Sequence, residues 1–259
     1  MIKSLSLAFV LGSLSLSSAF AETLTVGAYP ANPPWEYKNE QSVFEGFEVD
    51  LVKAIAKKLG DEVEFQDLGF TALFAATSSG RVDMAISTIT ITEDRLKSQA
   101  FTQGYYDSDL ALLTGKDGKT SLEEMRGEVV GAISSSVGEA WIKANQEKYG
   151  FSDAKFYNDQ QSLLLDLQAG RIAGAVGDIL GFEFAIKQMT SLTLRDRIKT
   201  GDRFGIMMPK KSDRLEAVNQ AITDLKKDGT LASIHKKWLG TDPDPQTSTL
   251  TVLEIPVSK

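Results

Sequence analysis

The sequence predicts an α/β protein built as two similar lobes, and three of its features carry that prediction. Short apolar runs alternate with amphipathic helical patterns along the chain, as in sheets with helices packed on their faces. Two stretches echo each other: GRVDMAIS from Gly80 to Ser87 and GRIAGAVG from Gly170 to Gly177 each follow a helical pattern and run Gly-Arg into a buried strand. Each echo then ends in a polar cluster, with Ser87, Thr88, Thr90 and Arg95 after the first and Asp178 after the second. Ligands of open α/β sheets sit beyond the carboxyl ends of strands, so these clusters are candidate walls of one cleft.

The elements follow in order. Lys3 supplies a positive start, residues 5–16 an apolar stretch, and Ala19-Phe20-Ala21 a small-x-small cleavage site, so residues 1–21 read as a secretory signal peptide. The apolar stretch is shorter than the roughly 18 residues that span a bilayer. With no Cys to carry a lipid anchor after the cleavage site, the periplasm of a double-membraned bacterium is the expected destination. Leu24 to Ala28 begins as a strand, and the Pro-rich stretch from Pro30 to Pro34 turns it into a loop, because proline lacks the amide donor. From Gly46 to Gly60, Phe47, Leu51, Ile55 and Leu59 repeat every fourth residue with Val52 widening the stripe, which is a helix with one buried face. Glu48 and Asp50 in its first turn and Lys57 and Lys58 in its last suit the macrodipole, and Gly60 stops it.

Residues 62–65 then predict a strand, 70–79 a helix, 82–87 a strand and 92–100 a helix with Thr92 as N-cap. The second region repeats the scheme: a strand over 129–133, a Ser-rich turn, a helix through Trp141, a strand near 155–157, a helix over 160–168 and a strand over 172–176. Near the C-terminus, Ser212 caps a helix carrying Leu215, Val218, Ile222 and Leu225, and a shorter helix carries Trp238. His235 in HKKW reads as a surface group, and Met207 and Met208 as hinge or core residues. The tail from Thr241 to Lys259 opens Asp-Pro-Asp-Pro, which suggests an extended strap over the first lobe.

Composition narrows the function. The chain has 259 residues, a formal charge of -7 and a sequence pI near 4.9. That charge argues against a nucleic-acid partner, which requires a clustered excess of Lys and Arg. Without Cys, disulfides, thiolate zinc sites, iron–sulfur clusters and Cys nucleophiles are excluded; a single His leaves no His-rich metal cluster. No GxxxxGK[ST] phosphate loop is present, so ATP hydrolysis by this chain is not expected. Neither a cofactor nor a metal is expected.

The polar clusters point to a small dipolar solute. A Ser/Thr-rich loop entering a helix N-terminus exposes amides to an anion, and Arg95 adds a guanidinium able to make two parallel bonds to a carboxylate. Asp178 on the other lobe supplies the opposite pole. Together they make a socket for a zwitterion, with its carboxylate at Arg95 and its α-ammonium at Asp178.

NPPWEY, FEGFEVDLVKAIAKKLG, GRVDMAISTITITEDR, VVGAISSSVG and LQAGRIAGAVGD, in that order, resemble the polar amino-acid family of bacterial periplasmic solute-binding proteins, the type 3 family feeding ABC importers. The match runs from about Leu24 to Leu239. The resemblance implies the two-lobed periplasmic binding protein type II (Venus flytrap) fold, each lobe a mixed sheet flanked by helices. It places hinge strands around Leu110 to Thr114 and Phe204 to Met208, and divides the chain into residues 1–21 (signal peptide), 22–112 (first lobe), 113–205 (second lobe) and 206–259 (return to the first lobe).

By the same resemblance, Arg95 grips the ligand carboxylate, Thr90 donates nearby, Ser87 or Thr88 offers a carbonyl to the ammonium, and Asp178 completes the ammonium site. Ser135 and Ser136 stand where the family often has Gly-Thr and would donate on closure. Phe70 aligns with an aromatic beside the ligand side chain, and Trp35 belongs to a Pro-Pro-aromatic motif. Tyr29 lies where relatives for basic amino acids tend to carry Asp, and Asn32 where many carry a stacking aromatic, which disfavours basic ligands. Ala173 departs from the Gly-Arg-x-Asp run, and Ser135 and Val137 make the second-lobe turn atypical. The expected partners are an amino-acid ligand and the membrane permease subunits of an ABC importer, with the protein itself a monomer. Two alternatives are a periplasmic lyase on the same scaffold, similar to cyclohexadienyl dehydratase and using Glu183 as general acid, and a ligand-sensing domain.

Overall fold

The computed structural model describes residues 22–258. The expected signal peptide lies outside the described residues. The first lobe begins with β1 (Thr23–Ala28) and a ribbon of short strands, β2 (Ala31–Asn32), β3 (Glu36–Lys38) and β4 (Phe44–Glu45). It continues through α1 (Phe47–Leu59), β5 (Glu62–Asp67), α2 (Phe70–Ser78), β6 (Met84–Ile86), α3 (Glu93–Ser98) and β7 (Gln99–Phe101). The second lobe holds β8 (Tyr106–Gly115), β9 (Val129–Ile133), α4 (Val137–Tyr149), β10 (Asp153–Tyr157), α5 (Gln160–Gln168), β11 (Gly174–Asp178), α6 (Ile179–Gln188) and β12 (Leu192–Phe204). The chain then returns with β13 (Met207–Pro209), α7 (Leu215–Lys227) and α8 (Thr230–Leu239).

The two sheets are built alike. The first has the order β5-β1-β6-β13-β7 and the second β10-β9-β11-β8-β12. In each, three strands run parallel, β5, β1 and β6 in one and β10, β9 and β11 in the other, and one reversed strand, β13 or β8, joins them by antiparallel pairing to the edge strand β7 or β12. The Gly-Arg echo therefore marks equivalent strands, β6 and β11, and their carboxyl ends carry the two polar clusters.

The periodic stripe of α1 packs Phe47, Leu51, Val52 and Ile55, all fully buried, in one cluster with Val218 and Ile222 of α7 and Leu231 of α8. Burying each such side chain is worth roughly 1.5–3 kcal/mol, which outweighs the helix's weak intrinsic propensity. Gly46 starts the helix at φ 136°, and a Cβ there would lie 2.2 Å from the Trp35 carbonyl oxygen, so only glycine admits this approach.

Several expectations are corrected. The predicted helix over 92–100 ends at Ser98, because residues 99–101 pair as β7 with β13. Leu110 to Thr114 is not a hinge strand. It lies inside β8, where it pairs with β11 and β12 of the second sheet, so a boundary at 112 cuts through a continuous strand. The chain crosses instead over residues 102–105 and 205–206. These crossings bind each other: the Thr102 amide donates to the Ile206 carbonyl at 3.0 Å and the Tyr105 amide to that of Phe204 at 2.9 Å. Met207 and Met208 are core residues of β13. His235 is buried, not a surface group; its ring stacks on Tyr106 at 6.0 Å and its Nδ1 meets the Thr241 carbonyl at 2.8 Å.

Candidate functional site

A cleft opens between the carboxyl ends of the parallel strands of both sheets. Nine of the sequence-predicted residues line it: Tyr29, Asn32, Phe70, Ser87, Thr88 and Thr90, then Arg95, Ser136 and Asp178.

Arg95 is aimed by its local structure. The Thr92 hydroxyl accepts from the Arg95 amide at 3.2 Å, capping α3 as the sequence predicts. The guanidinium lies over the Phe74 ring at 5.0 Å and donates to the Thr90 carbonyl at 2.7 Å. Its other terminal nitrogen reaches across to the Ser135 carbonyl of the second lobe at 3.0 Å. Burial lowers its pKa to about 10, which leaves it cationic at neutral pH. Beside it, the Thr90 hydroxyl is buried and has no hydrogen-bond partner among the described residues. A buried hydroxyl facing a cleft without a partner is available to a ligand.

Asp178 ends β11 and caps α6. Its carboxylate accepts from the Gly181 amide at 2.8 Å, the Ser108 hydroxyl at 2.5 Å and, from the other lobe, the Trp35 indole at 3.3 Å. Burial pushes its pKa up, and these donors oppose the rise. Two further carboxylates line the cleft. Asp109 is already satisfied by Arg197 at 2.7 Å and by the amides of Thr200 and Gly201, while Asp202 faces Arg95 electrostatically.

Trp35 and Ser135 do not line the cleft. Trp35 is fully buried in an aromatic cluster with Phe47, Tyr106 and Phe204, and reaches the site only through its indole N–H. Ser135 is exposed at φ 65°, and its amide is spent on the Glu139 carboxylate at 2.5 Å, so it cannot donate to a ligand from there. The Ser136 hydroxyl accepts from the Glu139 amide at 3.2 Å as N-cap and keeps its own proton to donate. Val137 and Gly138, whose first-turn amides have no acceptor within α4, line the cleft beside it. Phe70 serves both readings, packing edge-on against Phe74 at 5.6 Å and lining the cleft. Glu183, the candidate general acid, is exposed on α6 and does not line it.

Sequence reasoning missed a carboxyl pair directly behind the site. Glu36 and Glu48 are both fully buried. Glu36 accepts from the Ser87 hydroxyl at 2.5 Å and the Asn32 amide at 3.3 Å; Glu48 accepts from the Thr88 amide at 2.8 Å and from the Tyr105 hydroxyl. Burial and the adjacent Glu48 push the Glu36 pKa well above the usual carboxyl range, which favours its protonated form beside Glu48. The pair thereby fixes three cleft residues: Asn32, Ser87 and Thr88, the last at φ 46°. Asn32 also donates to the Thr88 hydroxyl at 3.2 Å. The available signal was Glu48 standing one turn before Val52 on the apolar stripe of α1.

The lobes meet around the cleft. Besides the Trp35–Asp178 and Arg95–Ser135 bonds, the Gln160 amide donates to the Tyr29 hydroxyl at 3.4 Å and the Thr71 hydroxyl reaches Ser135 Oγ at 3.3 Å. Two α/β lobes joined by paired crossings and touching over a cleft lined by Arg95 and Asp178 define a two-lobed solute-binding protein of the type II periplasmic class. The chain belongs to the bacterial extracellular solute-binding proteins, family 3, whose model matches residues 24–241. It is 29% identical over 225 residues to the L-cystine-binding protein TcyJ of Escherichia coli (strain K12), covering 85% of this chain and 84% of the relative. It is likewise 29% identical over 252 residues to the histidine-binding periplasmic protein of the same organism, covering 92% and 96%. Among solved structures, an ancestral arginine-binding protein bound to arginine matches with a TM-score of 0.80 and 34% identity, over 84% of this chain and 98% of that one.

Proposed function

We propose that this protein captures an L-amino acid or a close derivative in the periplasm, closes its lobes over it and presents it to the permease subunits of an ABC importer. The reading rests on one observation: Arg95 of the first lobe and Asp178 of the second line the same cleft. The ligand carboxylate lies on the Arg95 guanidinium with Thr90 donating beside it, and the α-ammonium lies on Asp178. Each buried charge then has a partner, which is what makes closure favourable. A ligand that supplies both counter-charges binds the closed form better than the open one and shifts the population toward it. Relatives are binding proteins for arginine, histidine and cystine, which supports an amino-acid ligand and a non-enzymatic role. The protein acts as a monomer after removal of residues 1–21.

The test is a thermal-shift screen of the mature chain against the twenty standard L-amino acids, L-cystine and opines, because a ligand for the native state raises its stability. Calorimetry on the strongest hit should then show Arg95→Ala weakening binding about a hundredfold, the order of 3 kcal/mol for breaking a buried charge pair. No stabilising compound, or a loss below about tenfold, contradicts the assignment.

A further inference from the structure

The family match ends at residue 241, yet the tail beyond it is bound to the place where the chain crosses between lobes. The Ser248 amide donates to Asp107 Oδ2 at 2.7 Å, and its hydroxyl donates to Asp107 Oδ1. The Thr249 hydroxyl donates to the Tyr105 carbonyl at 3.1 Å and the Leu253 amide to Gln103 Oε1 at 3.0 Å. Beneath them the buried Lys226 amine of α7 donates to Gln103 Oε1 at 2.8 Å, the Gly104 carbonyl at 2.7 Å and the Thr251 carbonyl of the tail at 2.9 Å. Ser248 and Thr249 are 3% and 1% exposed, so the bonds these two residues make are shielded from water.

The arrangement spans three bodies. Lys226 belongs to the first lobe, Gln103 and Tyr105 to the crossing, and Asp107 to the first rungs of the second sheet, where Arg203 of β12 faces it at 3.4 Å. Rotating the second lobe about the crossings moves Asp107 relative to α7, and a segment bonded to both must stretch or release. We infer that residues 247–253 form a strap across the hinge that holds the lobes in the closed arrangement and so sets the open–closed balance, and through it affinity, without contributing any residue to the cleft. The inference rests on lobe closure as proposed above, and its test uses no ligand, so the two can fail separately.

The chain has no Cys, which allows Lys57→Cys on α1 and Ala144→Cys on α4, both exposed, to carry a dye pair reporting the distance between lobes. In the full unliganded chain, Ser248→Ala with Thr249→Val removes the side-chain bonds to Asp107 and Tyr105, and Leu253→Pro separately removes the amide bond to Gln103. The expected result for each is a rise of about tenfold in the longer-distance population, the scale for losing one or two shielded hydrogen bonds. Distance distributions unchanged from the parent in both variants overturn the strap. A lowered melting temperature with unchanged distances also overturns it, because that outcome makes the tail a merely structural clamp.

Discussion

The indole nitrogen of Trp35, from the core of the first lobe, hydrogen-bonds across the cleft to Oδ2 of Asp178 at 3.3 Å. A fully buried aromatic therefore holds the orientation of a carboxylate that belongs to the other sheet. Trp35→Phe keeps a ring for Phe47, Tyr106 and Phe204 to pack on but deletes the donor. Ligand affinity should fall about tenfold by calorimetry, the scale for one hydrogen bond to a charged group. The unliganded melting temperature should drop by only a few degrees, as for the modest loss of a single donor and some packing area. An unchanged affinity would show that the indole has no part in orienting Asp178.

Asp178→Asn preserves shape and removes the charge. The native protein should be as stable as the parent or more so, because a carboxylate whose pKa burial raises is being replaced by a neutral group. Affinity for the ligand found in the screen should fall about a hundredfold or more, since the ammonium proposed to lie on Asp178 would then be buried without a counter-charge. Melting and calorimetry on one preparation check both directions, and the opposite pattern, lost stability with retained affinity, would make Asp178 a helix cap alone.

The Glu36–Glu48 pair predicts a pH dependence of stability. Glu36 keeps its proton in the native state at pH values where an exposed Glu, with its usual pKa near 4.5, has lost it. The native state then binds more protons than the unfolded chain, so stability from this group falls as pH rises from that value through the raised native one. Glu36→Gln keeps a donor toward Glu48 without a titrating proton. Melting temperatures from pH 5 to pH 9 should show the variant gaining on the parent as pH rises, and a constant difference would mean that Glu36 titrates normally.

Gly138 lies against the back of β11. A Cβ there would sit 2.5 Å from the Val176 carbonyl oxygen, with no flexible side chain to yield. Gly138→Ala should therefore destabilise, by about 1–3 kcal/mol as for an overpacked core, although alanine in a helix is ordinarily favourable by about 1 kcal/mol. The same displacement draws the start of α4 away from the cleft, so affinity should fall with the melting temperature. A stabilised variant would show that α4 and β11 separate without strain.

The parts legible in the sequence were those where one local pattern decided the outcome. The stripe of α1, the Thr92 cap below Arg95 and the paired Gly-Arg strands needed no knowledge of distant residues. Residues 99–101 needed it, since nothing in the helical spacing of RLKSQAF at the end of α3 shows that β13 arrives from residue 207 to pair with them. β12 was missed because it is an edge strand with few buried positions, and α6 because ILGFEFAIKQ is apolar without a clear period. In the site, Arg95 and Asp178 stood out as charges after strands. Glu36 and Glu48 did not, because acids near a helix start are ordinarily solvated, and only the folded chain places both in one dry space. His235 was hidden in the same way, by aromatic neighbours from two separate segments, Phe47 of α1 and Tyr106 of β8.

The position of β13 between β6 and β7 has a consequence for biogenesis. The second sheet draws on residues 106–204 alone and is complete once that stretch is available, whereas the first lacks an inner strand until residues 207–209 are added. The half that is started first is finished last, against the usual order in which domains mature from the amino terminus. Until then β6 and β7 present unpaired edges that invite association with other nascent chains.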